Sequence, residues 1–108
     1  MFHIWIGYEI IIQLRRGKCI PINSLGASNI ITDIPNIIGK TNHPCEKNVD
    51  LYSRIILQSS KENEIIFDPF AGAGTCALSC IENNRKCVCC EIDSKYYNRM
   101  VERIKEVE

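Results

Sequence analysis

Apolar and polar positions follow three successive rhythms along this chain of 108 residues. Residues 4–14 are mostly β-branched and apolar, interrupted by Gly7 and Glu9, and this run predicts a strand. Arg15-Arg16-Gly17-Lys18 follows as a basic turn. Residues 19–42 scatter Pro21, Gly26, Pro35 and Gly39 among Asn, Ser and Thr, which predicts a long loop with one short strand near Ile30-Ile31. From residue 43 the pattern becomes regular. Val49, Tyr52, Ile55, Ile56 and Ser59 recur at helical spacing behind Asn48 or Lys47 as the opening residue, with Asp50 in the first turn. Glu64–Asp68 reads as a strand with no polar alternation, the pattern of a strand covered on both faces in a parallel sheet. A helix from Thr75 to about Glu82, a strand over Lys86–Glu91 and a last helix capped by Ser94 complete the order. Tyr97, Met100, Val101 and Ile104 form the apolar stripe of that helix. The division expected is therefore 1–42, strand and loop, and 43–108, an α/β unit with a parallel βαβ core.

Length and composition narrow the function without naming it. One small domain fits 108 residues, and 45% hydrophobic with 24% charged residues is ordinary for a globular chain. Thirteen basic and thirteen acidic residues cancel, so no basic footprint points to nucleic acid. Seven cysteines, an odd number, follow no secretory signal and suit a reducing cytoplasm better than a disulfide framework. No segment is long and apolar enough for a membrane span, so no membrane partner is expected.

The chemistry gathers where the first strand of the βαβ unit meets its loop, Asp68-Pro69-Phe70-Ala71-Gly72-Ala73-Gly74-Thr75. Glycines between a strand and a helix let backbone N–H groups approach a ligand. An Asp at the mouth would repel a pyrophosphate and attract an ammonium or sulfonium group, which points to S-adenosylmethionine as cofactor. Glu91 closes the next strand 23 positions later, where an acidic residue holds ribose hydroxyls in nucleotide-binding βαβ units. Asp93 is the second candidate for that task. Each feature has a structural reading too. The glycines suit a tight turn, Asp68 could cap the helix that follows, and Glu91 and Asp93 suit the dipole of the last helix. It is their joint occurrence in one strand–loop–helix–strand frame that favours a ligand. Lys47 stands beside a helix N-terminus, against the dipole, and an anionic partner would explain it; a solvated lysine is the plain alternative. Cys87-Val88-Cys89-Cys90 has CxxC spacing, but with no second pair following it reads as small buried thiols, and no metal ligands are assigned. Cys76 and Cys80, four apart, face the sheet.

These residues resemble a known family. The stretch from Asp68 to Thr75 looks like the cofactor loop of the amino-group DNA methyltransferases, which modify adenine N6 or cytosine N4. His43-Pro44-Cys45-Glu46-Lys47 is similar to the His-Pro-x-x-Lys element that precedes this loop in the circularly permuted, beta-class members. Glu91-Ile92-Asp93 with Tyr96 or Tyr97 resembles the family's acidic strand end. The resemblance covers residues 43–107 and implies an incomplete Rossmann-like, S-adenosylmethionine-dependent methyltransferase fold. It further implies that Asp68 contacts the methionine end of the cofactor, Phe70 packs on it, Gly72 and Gly74 allow close approach, Thr75 bonds the carboxylate, Lys47 supports that charge and Glu91 holds the ribose. His43 is given a supporting place only.

The departures from the family pattern shape the expected function. Its catalytic signature is Asp, Asn or Ser followed by Pro-Pro and an aromatic, whereas the four prolines here (Pro21, Pro35, Pro44, Pro69) are never adjacent. No catalytic residue is therefore assigned. The expectation is a cytoplasmic cofactor-binding segment of a site-specific DNA methyltransferase, inactive alone, reaching DNA through missing or partner segments such as an N-terminal half. A non-catalytic remnant or binding module without methyl transfer is the alternative, and a nicotinamide-dependent oxidoreductase fragment a more distant one.

Overall fold

A computed structural model describes residues 9–18, 22–23, 28–32 and 48–108. The elements run α1 (Val49–Ser59), β1 (Ile65–Asp68), α2 (Thr75–Glu82), β2 (Lys86–Cys89) and α3 (Ser94–Val107). β1 and β2 pair in parallel, in register from Ile65 opposite Lys86 to Asp68 opposite Cys89. The α/β class and the βαβ core expected from the sequence are thus present.

Local chemistry explains where the elements begin and end. Asn48 caps α1, its side-chain oxygen accepting the Asp50 N–H at 2.8 Å. Asp93, not Ser94, caps α3: its carboxylate accepts the N–H groups of Lys95 and Tyr96 at 2.8 and 3.2 Å, and Ser94 becomes the first helical residue. The two turns at the amino-terminal ends of the strands each carry an asparagine at positive φ, Asn63 at 67° and Asn84 at 60°. Asparagine tolerates that region best after glycine. The Asn63 N–H donates to the Asn84 carbonyl at 2.8 Å, so each turn holds the other.

α2 is the buried centre of the unit, with every residue from Ala71 to Cys80 buried. Ile56 of α1 and Cys76 and Cys80 of α2 form the core, with Tyr52, Ile66 and Cys87 packed against it. Polar bonds register the two helices: Ser79 Oγ donates to the Val49 carbonyl at 2.8 Å and Asn83 Nδ2 to Ser53 Oγ at 2.9 Å. Arg85 ties the end of α1 to the start of β2, reaching the Ser60 carbonyl at 2.7 Å. Asn23 docks on the same end of α1, its side chain donating to the carbonyls of Leu57 and Ser60 at 2.7 Å each.

Three expectations change. β1 is not covered on both faces: Ile66 and Asp68 are half-buried, while Ile65 and Phe67 are 66% and 63% exposed. The core residues of α1 and α2 meet the strand pair through Ile66 and Cys87, and among the described residues nothing covers the other face. β2 ends at Cys89, so Glu91 lies two residues past the strand rather than closing it. Of the strand expected over 4–14, residues 4–8 lie outside the described residues and 9–14 form none, nor does any appear at 30–32; Ile10, Ile12 and Leu14 are 77%, 77% and 87% exposed. Apolar composition alone does not make a strand, and among the described residues none pairs with 9–14.

Candidate functional site

Parallel pairing puts the carboxyl ends of both strands at one edge of the sheet, with the loop 69–74 across them. Asp68 is the last residue of β1, and its Oδ1 accepts the Phe70 N–H at 3.0 Å. That short turn fixes the aspartate at the loop's mouth and leaves Oδ2 out of the turn. Glu91 reaches the loop from the other strand. Its Oε2 accepts the Gly72 N–H at 2.6 Å and its Oε1 accepts the Asp93 N–H at 2.9 Å. A carboxylate has about four lone-pair sites, so after these two bonds each oxygen of Glu91 can accept once more. The two acidic residues singled out in the sequence therefore stand at one edge, each oriented by backbone N–H groups. Main-chain bonds reinforce that edge: Cys90 N–H to the Asp68 carbonyl and Ala71 N–H to the Cys90 carbonyl, both 2.9 Å.

Both glycines have positive φ, 55° at Gly72 and 87° at Gly74. Gly74 has a second reason to be glycine. A Cβ there would lie 2.5 Å from Met100 Cγ, so the last helix packs directly on the loop. Arg103 of α3 adds to this brace, donating from Nη1 to the Ala73 carbonyl at 2.8 Å. Gly74 is also the residue before α2 and offers no side chain to cap it. The first N–H groups of α2 and the positive end of its dipole therefore lack the usual side-chain acceptor, a setting suited to an anion. Thr75 is buried in this first turn, and Phe70 at the loop's crest is 88% exposed. Lys47 and His43 lie outside the described residues.

Sequence periodicity placed Tyr52 on the core face of α1 and Met100 in the stripe of α3, with no sign that Met100 packs on the loop or that Tyr52 feels the charge of Asp68. Tyr52 packs against the core beside Ile56 and Cys76, and burial first, then the charge of Asp68 and Cys76, push its hydroxyl above its ordinary range. No local signal reports such contacts, since both residues come from outside the βαβ unit.

A cavity of about 230 Å³ lies elsewhere, lined in part by Leu14, Arg15, Arg16, Lys18, Ile22 and Ser59. It sits by the end of α1, toward the amino-terminal end of β1 and away from the acidic edge. Its cationic lining does not suit a sulfonium ligand.

A family model described as DNA methylase, of the N6/N4 type, matches residues 4–103. The chain belongs to the N6/N4 DNA methylase family. Among its similar proteins, the DNA adenine methyltransferase YhdJ of Escherichia coli strain K12 is 33% identical over 98 residues, 87% of this chain and 33% of that protein. The type II methyltransferase M.HpaI of Haemophilus parainfluenzae is 40% identical over 62 residues, 57% of this chain and 20% of its own length. The crystal structure of an M1.HpyAVI–SAM complex matches with a TM-score of 0.58 and 34% identity, over 59% of this chain and 32% of that one. This methylase chain thus spans about a fifth to a third of the length of these relatives. Its fold is the corresponding part of the α/β methyltransferase fold.

Proposed function

We propose that this chain is the S-adenosylmethionine-binding segment of a site-specific DNA methyltransferase, acting on adenine N6 or cytosine N4, and that it transfers no methyl group by itself. The observation that carries the reading is the acidic edge: Asp68 and Glu91 at neighbouring strand ends, spanned by a glycine loop that leads into a helix without a side-chain cap. These groups match the charges of the cofactor in sign. Asp68 takes the methionine end with its ammonium and sulfonium. The α2 N-terminus, with Thr75 and Lys47, takes the carboxylate. Glu91 accepts the ribose hydroxyls through the lone pairs left by Gly72 and Asp93. Phe70, already exposed, packs on the bound nucleoside. When bound, S-adenosylmethionine supplies the electrophilic methyl group.

The chain's own share is positioning. Holding the two carboxylates and the loop rigid places the methyl donor in line with an amino group, and such orientation accounts for much of a transfer rate. The target base has to leave the duplex to reach it. No Pro-Pro-aromatic element is present to hold that base, so catalysis and DNA contact fall to a partner segment carrying it. The open face of the sheet, with Ile65, Phe67 and Val88 exposed, fits such a segment as cover. The M1.HpyAVI–SAM complex supports the cofactor assignment for the matched third of that enzyme.

Calorimetric titration of the full chain with S-adenosylmethionine tests the proposal. Binding is expected, weakened about tenfold by Glu91→Gln, which keeps an acceptor for Gly72 and removes the charge. Absence of heat at millimolar ligand would favour the remnant without a ligand. Labelled methyl groups should not enter DNA with the chain alone, and should enter it when an N-terminal half bearing the Pro-Pro-aromatic element is supplied. Robust incorporation without that half would show that the chain is a complete catalyst.

A further inference from the structure

Four of the seven cysteines converge where α2 lies on the sheet, although the sequence spreads them over fourteen positions. Cys76 and Cys80 project from successive turns of α2, and Cys87 and Cys89 from the same face of β2. The sulfurs of Cys76, Cys80 and Cys87 all lie within 4.8 Å of one another. Cys76 Sγ and Cys87 Sγ are 4.0 Å apart, and Cys89 Sγ is 3.1 Å from Cys87 Sγ. The strand's contribution is thus Cys87 and Cys89 on one face, not the CxxC pair Cys87 and Cys90, and the second pair comes from the helix before it.

We propose that Cys76, Cys80, Cys87 and Cys89 form a binding site for a single soft d10 metal ion, Zn2+ or Cu+. Zinc–thiolate bonds of about 2.3 Å in a tetrahedron put neighbouring sulfurs roughly 3.8 Å apart. Cys76, Cys80 and Cys87 already stand near that spacing, and Cys89, outside this group of three but 3.1 Å from Cys87, has to rotate inward to supply the fourth thiolate. The donor set selects the metal class: thiolates favour soft ions over magnesium or calcium. The packing is also unlike that of an ordinary core. The largest fully buried side chains among the described residues are Cys80 and Ser79, where branched aliphatics would bury more apolar surface. On binding, each ligating thiol gives its proton to solvent and the metal keeps its oxidation state. The ion would pin α2 to β2, the two elements that carry the glycine loop and Glu91.

The test uses the full chain, reduced and freed of metal, titrated anaerobically with Co2+, then Zn2+, and separately with Cu+. One equivalent of Co2+ should develop the intense absorption of tetrahedral thiolate coordination, and Zn2+ should bleach it. A hundredfold excess of Zn2+ over its Kd should raise Tm by roughly 10 °C or more. A variant with Cys19, Cys45 and Cys90 all changed to Ser should behave the same, whereas Cys76→Ser and Cys80→Ser should abolish binding. Cys89→Ser separates the two metals, weakening Zn2+, which wants four thiolates, and sparing Cu+ at three. The proposal is overturned if the native chain shows neither cobalt thiolate bands nor a stoichiometric Cu+ complex, if both metals leave Tm unchanged or lower it, or if the triple variant loses binding. The first two readouts need no variant to fold.

Discussion

The two faces of the β1–β2 sheet are built from alternate residues of the same eight positions, yet they live in different worlds. On one face Ile66, Asp68, Cys87 and Cys89 are half-buried, with Ile66 and Cys87 packed against the core residues of α1 and α2. On the other, Ile65, Phe67 and Val88 are 66%, 63% and 52% exposed. Both faces are mostly apolar in sequence, each with a single charge, Asp68 on one and Lys86 on the other. What separates them is which side the crossover helix and its partner occupy. A strand's hydrophobicity therefore reports a demand for cover, and the helices present decide how much of it is met.

The largest effect should come from a charge on the covered face. Cys80 has no exposed surface, and a buried unpaired carboxylate is among the few changes that cost more than about 4 kcal/mol. Cys80→Asp should therefore unfold a unit this small, read by loss of the cooperative urea transition. If it retains that transition, the covered face is not the core. Next comes Gly74→Ala. Left-handed φ costs an L-residue roughly 1–2 kcal/mol, and the new Cβ at 2.5 Å from Met100 Cγ adds to that. A loss of about 2 kcal/mol or more is expected in denaturant melts, reduced in a Met100→Ala background. Equal losses in both backgrounds would remove the packing of α3 from the explanation.

In the metal-free chain, alkaline pH should act through the covered face. Burial pushes the Cys80 thiol from an ordinary value of 9.0 up to about 12, and bonding to Cys76 pushes Cys87 up to about 11. Bonding to Cys87, and then burial, raise Cys89 as well. With folded values above unfolded ones, the protonated thiols stabilise the native state fully below pH 9, and this contribution drains as pH rises through 11 to 12. Urea midpoints measured across that window should fall, and less steeply in Cys87→Ala. The smallest effect belongs to the open face. Phe67→Asp should shift stability by no more than about 0.5 kcal/mol, as exposed substitutions do. A loss several times larger would mean that the face is covered, and the contrast between the two faces would disappear.

The frame of the molecule was legible because its signals are local. Asn48 with Asp50, the glycine run after Asp68 and the asparagine pair after Glu82 announce helix and strand ends within a few residues. The apolar run at residues 9–14 misled for the same reason, since strand propensity is a local quantity and pairing is not. Asp93 took the capping place expected of Ser94 because either side chain can cap and only the entering backbone chooses between them. At the site, Asp68 and Glu91 were readable from their distance across a βαβ unit. The bonds that orient them to Phe70, Gly72 and Asp93, and the packing of Met100 on Gly74, were not.

By itself, then, the order of residues determined a parallel strand pair with its crossover helix, and with it the meeting of two carboxylates at one edge, because parallel pairing leaves the strand ends nowhere else to go. Tertiary structure alone decided which face of that pair is covered, which residues brace the loop, and that thiols from a helix and a strand share one buried point. Those outcomes depend on contacts between distant segments, and a contact between distant segments has no local periodicity to betray it.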